Sequence, residues 1–182
     1  MLINERDTRT ERLMTVANAM MTAARTAPKG KGFDIIEVAT ITGETITELS
    51  EAMLKYSEET GLKFITRDAE NILHAEAIVL IGTRQQLHGL NCGYCGFATC
   101  FEKGEFPDVP CAINTVDVGI ALGSACAVAT DHRVDSRIMF SVGRVVQELN
   151  MMPGCSNIYG IPISCSSKNP FFDRKPKITP AT

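Results

Sequence analysis

The sequence has no tryptophan, only three histidines and a small net charge of −3 over 182 residues. Lysine and arginine together number 18 against 21 acidic residues, and no basic patch dominates, which argues against a nucleic-acid-binding surface. No stretch approaches the roughly 20 apolar residues of a membrane-spanning helix. The chain starts with charged residues rather than an apolar secretory segment. We therefore expect a soluble, cytoplasmic protein that binds neither nucleic acid nor a membrane.

Several common functional patterns are also missing. No Ser/His/Asp or Cys/His arrangement of a nucleophilic enzyme is evident, and the chain contains no internal repeat or low-complexity region. His88 is a lone histidine in a polar stretch, so we interpret it as solvated, with ligation of zinc as the alternative. Because the connecting segments are short, the length predicts a single domain over residues 1–182.

Cysteine, in contrast, is well represented: there are seven, and four of them fall within twenty residues. The four are spaced as C-x2-C-x4-C-x10-C and comprise Cys92, Cys95, Cys100 and Cys111. An odd total with a tight central group indicates metal ligation in a reducing compartment rather than a disulfide framework. The other three, Cys126, Cys155 and Cys165, are interpreted as structural or incidental.

The residues between the four cysteines favour an iron–sulfur cluster. Such a cluster needs three or four converging thiolates and a peptide that wraps round it with backbone N–H groups aimed at the sulfurs. Gly93 and Gly96 each follow a cysteine directly, and glycine adopts the required left-handed backbone at little cost. Zinc sites are usually built from two short cysteine pairs, and only one is present. Segment 86–113 is therefore predicted to bind [4Fe-4S], with structural zinc or metal-free thiols as alternatives.

The same segment resembles the four-cysteine iron–sulfur domain of several anaerobic redox proteins. That domain has the pattern G-x-N-C-G-x-C-G-x-x-x-C and a later lone cysteine, which here correspond to residues 89–100 and Cys111. The resemblance implies ligation by all four cysteines and electron transfer with a redox partner protein that the sequence does not identify.

Hydrophobic periodicity predicts a mixed α/β (α+β) fold. The predicted helices span about 4–25, 44–60, 114–130 and 135–150, and the predicted strands 33–41, 76–82 and 157–164, with a short helix or turn at 68–74 and an extended tail at 166–182. Thr45 and Glu48 match a capping box, Gly61 a helix stop, and Asp135 an N-cap. The cysteine segment would directly follow a central strand that is covered on both faces.

The order of these elements is similar to that of the FMN-dependent nitroreductases, whose first helix ends in a comparable Ala-Pro segment beside the flavin. Here that helix ends at Ala27-Pro28-Lys29-Gly30-Lys31-Gly32. The resemblance implies a three-layer arrangement of a sheet flanked by helices, an intertwined homodimer, and FMN between the subunits. Lys29 and Lys31, with their glycines, are candidates for a phosphate cradle. A solvated turn is the alternative.

Taken as a whole, the chain resembles the uncharacterised prokaryotic proteins described as containing a ferredoxin domain. The resemblance rests on the cysteine segment and on residues 117–124, 133–141 and 169–174. It implies a cluster and no known reaction. Three functional hypotheses remain open: a [4Fe-4S] electron carrier, a flavin oxidoreductase in which the cluster relays electrons to FMN, and a structural zinc module.

Overall fold

A computed structural model describes residues 1–172 of the chain. The helices are α1 Glu5–Thr26, α2 Glu44–Thr60, α3 Lys63–Ile72, α4 Cys100–Gly104, α5 Ala112–Asp131 and α6 Phe140–Glu148, and the strands are β1 Ile36–Thr42, β2 Ala77–Arg84, β3 Asp135–Ser136 and β4 Cys155–Ser164. A 3-10 turn at Gly30–Gly32 connects α1 to β1. Most of the predicted tail, residues 173–182, lies outside the described residues.

The strands form one antiparallel sheet in the order β1-β2-β4-β3. Strand β2 therefore lies between two neighbours, as its continuous apolar sequence predicts. Its residues alternate between two hydrophobic clusters: Val79 and Ile81 pack on the side of α1 and α5, whereas Ile78 and Leu80 pack on the side of α2, α3 and α6. Full burial of each such side chain contributes about 1.5–3 kcal/mol. The predicted mixed fold, with a sheet between two helical layers, is confirmed.

The ends of α2 show which local signals determine a helix boundary. Gly61 ends the helix in the left-handed conformation at φ 72°, as predicted. The predicted capping box is wrong. The N-cap is Gly43, no side chain caps the helix, and Thr45 already lies inside it.

The predicted helix at 135–150 is wrong in its first part. Asp135 is not an N-cap, because Asp135 and Ser136 pair with Ser164 and Ile163 of β4. An isolated bridge from Met139 to Gly160 extends this pairing, so that α6 begins only at Phe140. Asp135 has the residue type of a helix N-cap, but it pairs with β4 instead. This pairing involves residues almost thirty positions away, so the sequence near Asp135 does not reveal it.

Helix α5 flanks the cysteine segment and packs against α1 and the sheet. By length and composition alone it could also cross a membrane, and 39% of its most apolar window is buried inside the protein. The segment between the end of β2 at Arg84 and the start of α5 at Ala112 carries all four predicted ligand cysteines. Two core elements therefore fix the two ends of this segment.

Candidate metal centre

The four predicted ligand cysteines line one small cavity. Cys92 is exposed, and Cys95, Cys100 and Cys111 are half-buried. The fold thus brings the distant Cys111 to the same cavity as the three closely spaced cysteines. Among residues 1–172, no three Cys, His, Asp or Glu side chains are arranged so as to hold a single metal ion.

The cysteine loop turns by means of left-handed backbone positions. Gly93 and Gly96 have φ values of 74° and 90°, which confirms the predicted positive-φ backbone at both positions. The N–H of Gly96 donates to the carbonyl of Gly93 at 2.9 Å and closes a tight turn round Cys95. Asn91, immediately before Cys92, also has a positive φ, of 48°. The polypeptide can therefore reverse direction between successive cysteines.

Cys100 is held by two reciprocal hydrogen bonds to Asn91. The backbone N–H of Asn91 donates to Cys100 Sγ at 3.3 Å, and the N–H of Cys100 donates to Asn91 Oδ1 at 2.7 Å. Cys100 also begins α4, whose N-cap Thr99 accepts from the N–H of Glu102 at 3.1 Å. The loop thus already supplies one backbone N–H bond to a sulfur, of the kind that a metal-bound thiolate needs.

Cys111 is the N-cap residue of α5. Its carbonyl accepts from the N–H of Thr115 at 3.1 Å, whereas no side-chain hydrogen bond caps the helix. The position of the fourth cysteine is therefore fixed by a 20-residue helix that is part of the core.

His88 is buried rather than solvated, so that expectation is wrong. It is 3% exposed and its Nε2 lies 3.3 Å from Oδ2 of the equally buried Asp117 on α5. This distance permits an ion pair, but the groups are not aligned as a hydrogen bond, and neither ring nitrogen has a hydrogen-bond partner among the described residues. Asp117 also accepts from the N–H of Gly30 at 3.0 Å. Asp117 consequently joins the turn after α1 to the segment that leads into the cysteines.

The two lysines of that turn are engaged by backbone carbonyls. Lys29 Nζ donates to the carbonyls of Ala24 and Arg25 at the end of α1, and its side chain is only 5% exposed. Burial lowers the pKa of Lys29 and nearby Asp34 partly opposes this. Lys31 Nζ donates to the carbonyl of His88 at 3.0 Å. Both ammonium groups are thus held by backbone carbonyls, while Lys31 and Gly32 remain exposed to solvent.

Lys103 is a further buried residue that the cysteine spacing does not reveal. It is 6% exposed and lies on α4, one turn after Cys100. Its side chain lines both the cysteine cavity and a second cavity of about 440 Å³. The only sequence signal is its position three residues after Cys100, which places both on the same side of a helix.

The sequence pattern of the family described as an uncharacterized protein containing a ferredoxin domain matches residues 107–174, which include Cys111. A protein from Archaeoglobus fulgidus, itself described as an uncharacterized protein, is 40% identical over 185 residues, covering 97% of this chain and all of its own. The chain belongs to this ferredoxin-domain family.

The fold of this ferredoxin-domain protein resembles solved structures of other proteins. It is similar to a nitroreductase from Lactococcus lactis solved with nicotinic acid, with a TM-score of 0.58 and 12% identity over 83% of this chain and 77% of that one. A BluB-like flavoprotein from Clostridium difficile has a TM-score of 0.58 and 16% identity over 91% and 85% of the two chains. At these identities the likeness shows the fold alone, and the predicted nitroreductase-like fold is confirmed.

Proposed function

We propose that this ferredoxin-domain protein binds a [4Fe-4S] cluster through Cys92, Cys95, Cys100 and Cys111 and transfers electrons. The observation that carries the proposal is that all four cysteines line one cavity, including Cys111, which ten residues separate from Cys100. Family membership supports the electron-transfer role in general terms.

The residues present suit such a cluster. The donor set consists of four thiols, which are the ligands of [4Fe-4S] centres. A cuboid cluster holds its thiolates at separate corners, farther apart than the ligands of one tetrahedral ion. The lack of a group arranged for a single ion among residues 1–172 is therefore compatible with it. The N–H bond from Asn91 to Cys100 Sγ supplies part of the supporting shell.

The bound cluster would supply one-electron chemistry, and the surrounding residues would control access to it. Cys92, one of the proposed ligands, is exposed, which supports access by a partner protein from this side. Tyr94 and Phe101 next to the ligands are 78% and 84% exposed, so they offer apolar contact area to that partner. Nearby backbone N–H donors such as that of Asn91 favour the reduced, more negative state.

A second candidate is a flavin oxidoreductase in which the cluster passes electrons to FMN between two subunits. The likeness of the fold to flavoproteins favours it. The exposed apolar residues Val116 and Ile120 on α5 offer a surface for a homodimer. Equilibrium dialysis of the anaerobic protein with FMN, combined with light scattering, tests this candidate. This candidate would be ruled out if the protein were dimeric and bound no FMN.

The main experiment is anaerobic purification followed by iron and sulfide analysis and visible spectroscopy. We expect about four irons and four sulfides per chain. Cys95→Ala should abolish the cluster absorbance, whereas the matched control Cys165→Ala should retain it because Cys165 does not line the cavity. Stoichiometric zinc without iron would instead establish the structural zinc module. An unchanged spectrum in Cys95→Ala would contradict the proposed ligand set.

A further inference from the structure

A second cavity, which we call the amide cavity, lies against the cysteine cavity and shares Leu87, Lys103 and Cys111 with it. Its volume of about 440 Å³ falls in the usual range of small-molecule sites, roughly 300–1,000 Å³. Five amides and an arginine are among the side chains that line it: Gln85, Gln86, Asn114, Gln147, Asn157 and Arg144. These groups are hydrogen-bonding and not apolar, so the cavity suits a polar molecule.

The amide cavity contains a buried cation without a counter-charge. Lys103 is 6% exposed, and its ammonium makes one hydrogen bond, of 3.0 Å, to the carbonyl of Phe106. It forms no ion pair with any carboxylate in the described part of the chain, residues 1–172. Burial of an unpaired charge is costly, and a single neutral carbonyl offsets little of that cost. A negatively charged group at this wall would remove the penalty.

The start of α5 adds a second feature that attracts negative charge. The first N–H groups of a helix have no partner within the helix, and the helix dipole makes this end positive. No side chain caps α5 and no acidic residue occurs in its first turn. Cys111 at the N-cap and Asn114 in the first turn both line the amide cavity. The end of a 20-residue helix thus opens on the same space as Lys103.

The charged side chains around the amide cavity also favour an anion. Lys103 and Arg144 line it with one acidic residue, Asp108, which is exposed. Arg144 is already paired in part, since it bonds Glu148 at 2.6 Å and the hydroxyl of Tyr56 at 3.0 Å. Lys103 is therefore the cation whose charge is least compensated.

We propose that the amide cavity binds a small polar organic anion. Its carboxylate or phosphate group is held by Lys103 and the N-terminus of α5, and the amides hydrogen-bond to the rest of the molecule. The ligand lies beside Cys111, at the wall that separates it from the cysteine cavity. Because Lys103 and Cys111 line both cavities, thiolates and a cluster in the cysteine cavity would face the same lysine from its other side. The proposal therefore rests on the volume and polar lining of the amide cavity together with the charge of Lys103.

The test measures anion binding by isothermal titration calorimetry, with inorganic phosphate and acetate as probes at constant ionic strength and glycerol as the uncharged control. Wild-type protein should bind at least one anion and not glycerol. Lys103→Met should weaken binding roughly 30-fold or more, which is the loss expected when one partner of a buried charge pair is removed. Lys103→Arg should retain most of it. Lys55→Met, at a 77% exposed lysine, is the matched control and should bind as wild type.

A second variant guards against failure of Lys103→Met to fold. Ala112→Asp places a carboxylate in the first turn of α5, which stabilises the helix but should repel the anion. Loss of binding in this folded variant supports the proposal. Equal binding in wild type, Lys103→Met and Ala112→Asp would overturn it, as would no binding of either anion by wild type. Unchanged anion binding with weaker iron retention in Lys103→Met would assign the lysine to the cysteine-bound group instead.

Discussion

Asn91 and Cys100 exchange two hydrogen bonds, N–H to Sγ at 3.3 Å in one direction and N–H to Oδ1 at 2.7 Å in the other. This exchange ties the residue before the first cysteine to the third cysteine. One of these two bonds is made by the Asn91 side chain, which is not a proposed ligand. Asn91 can therefore be replaced while all four cysteines are kept.

Replacement of Asn91 tests that contact. Asn91→Ala removes the acceptor for the Cys100 N–H. It also places alanine at a φ of 48°, a left-handed conformation that asparagine tolerates better because its side chain can form local hydrogen bonds. We expect iron to be lost to a chelator about 10–100 times faster, the usual cost of removing a supporting partner of a metal ligand. Asn91→Asp keeps the acceptor oxygen, and Asn91→Gly keeps only the backbone conformation. Wild-type iron retention in Asn91→Ala would show that the contact is dispensable.

Two of the glycines inside helices, Gly143 in α6 and Gly123 in α5, form a matched pair for stability. A Cβ at Gly143 would lie 1.6 Å from the carbonyl oxygen of Ile158, whereas a Cβ at Gly123 meets nothing within 4 Å. Gly143→Ala should destabilise the protein by about 3 kcal/mol or more because α6 must move away from β4. Gly123→Ala should stabilise it by up to about 1 kcal/mol, since alanine is the better helix former. Urea denaturation measures both, and similar midpoints would contradict the close packing.

The three cysteines outside the cavity should differ in reactivity. Burial raises the pKa of the Cys126 thiol, with an opposing hydrogen bond to Ser136, and burial together with Glu37 raises that of Cys155. A raised pKa leaves less thiolate at a given pH, so both should alkylate slowly at mildly alkaline pH and faster as the pH rises. Cys165 is exposed and should react first. Mass spectrometry after timed iodoacetamide treatment measures the order, with urea-unfolded protein as the control.

The buried pair of His88 and Asp117 should be energetically coupled. Asp117→Ala leaves the Gly30 N–H and the His88 ring without their carboxylate, and should cost about 3–5 kcal/mol of unfolding free energy. A double-mutant cycle with His88→Ala should give a coupling of roughly 0.5–3 kcal/mol. The control Asp108→Ala removes an exposed acid and should change stability by less than about 0.5 kcal/mol. Additive effects of the two core substitutions would refute the coupling.

The cysteine spacing was sufficient to predict that Cys92, Cys95, Cys100 and Cys111 line one common space. The left-handed positions at Gly93 and Gly96 follow from the same short segment, because turn geometry depends on the residues within it. Strand β2 was equally predictable, since a continuous apolar run of strand length leaves no polar face for water.

Contacts between distant segments could not be predicted in the same way. His88 appears solvated in sequence because its partner Asp117 is on another element, and Asp117 in turn reaches Gly30, 87 positions away. Asp135 carries a helix-start signal, but the pairing of β3 with β4 removes that residue from the helix. Lys103 is a charged residue in a charged stretch, and only the fold shows that it is buried.

Strand β2, with both faces covered, also limits how far a local loss of structure would extend through the molecule. Amide protons of Val79, Leu80 and Ile81 should exchange only when the whole protein unfolds, because both hydrophobic clusters meet at this strand. The cysteine segment begins directly beyond it and contributes no residue to either hydrophobic cluster, so we expect this segment to open at a lower free-energy cost than the strand. If the cysteines of this segment are oxidised, we therefore expect the loss of structure to end at Arg84, where β2 ends. The remaining fold would stay intact, so that reduction of the cysteines could restore the segment.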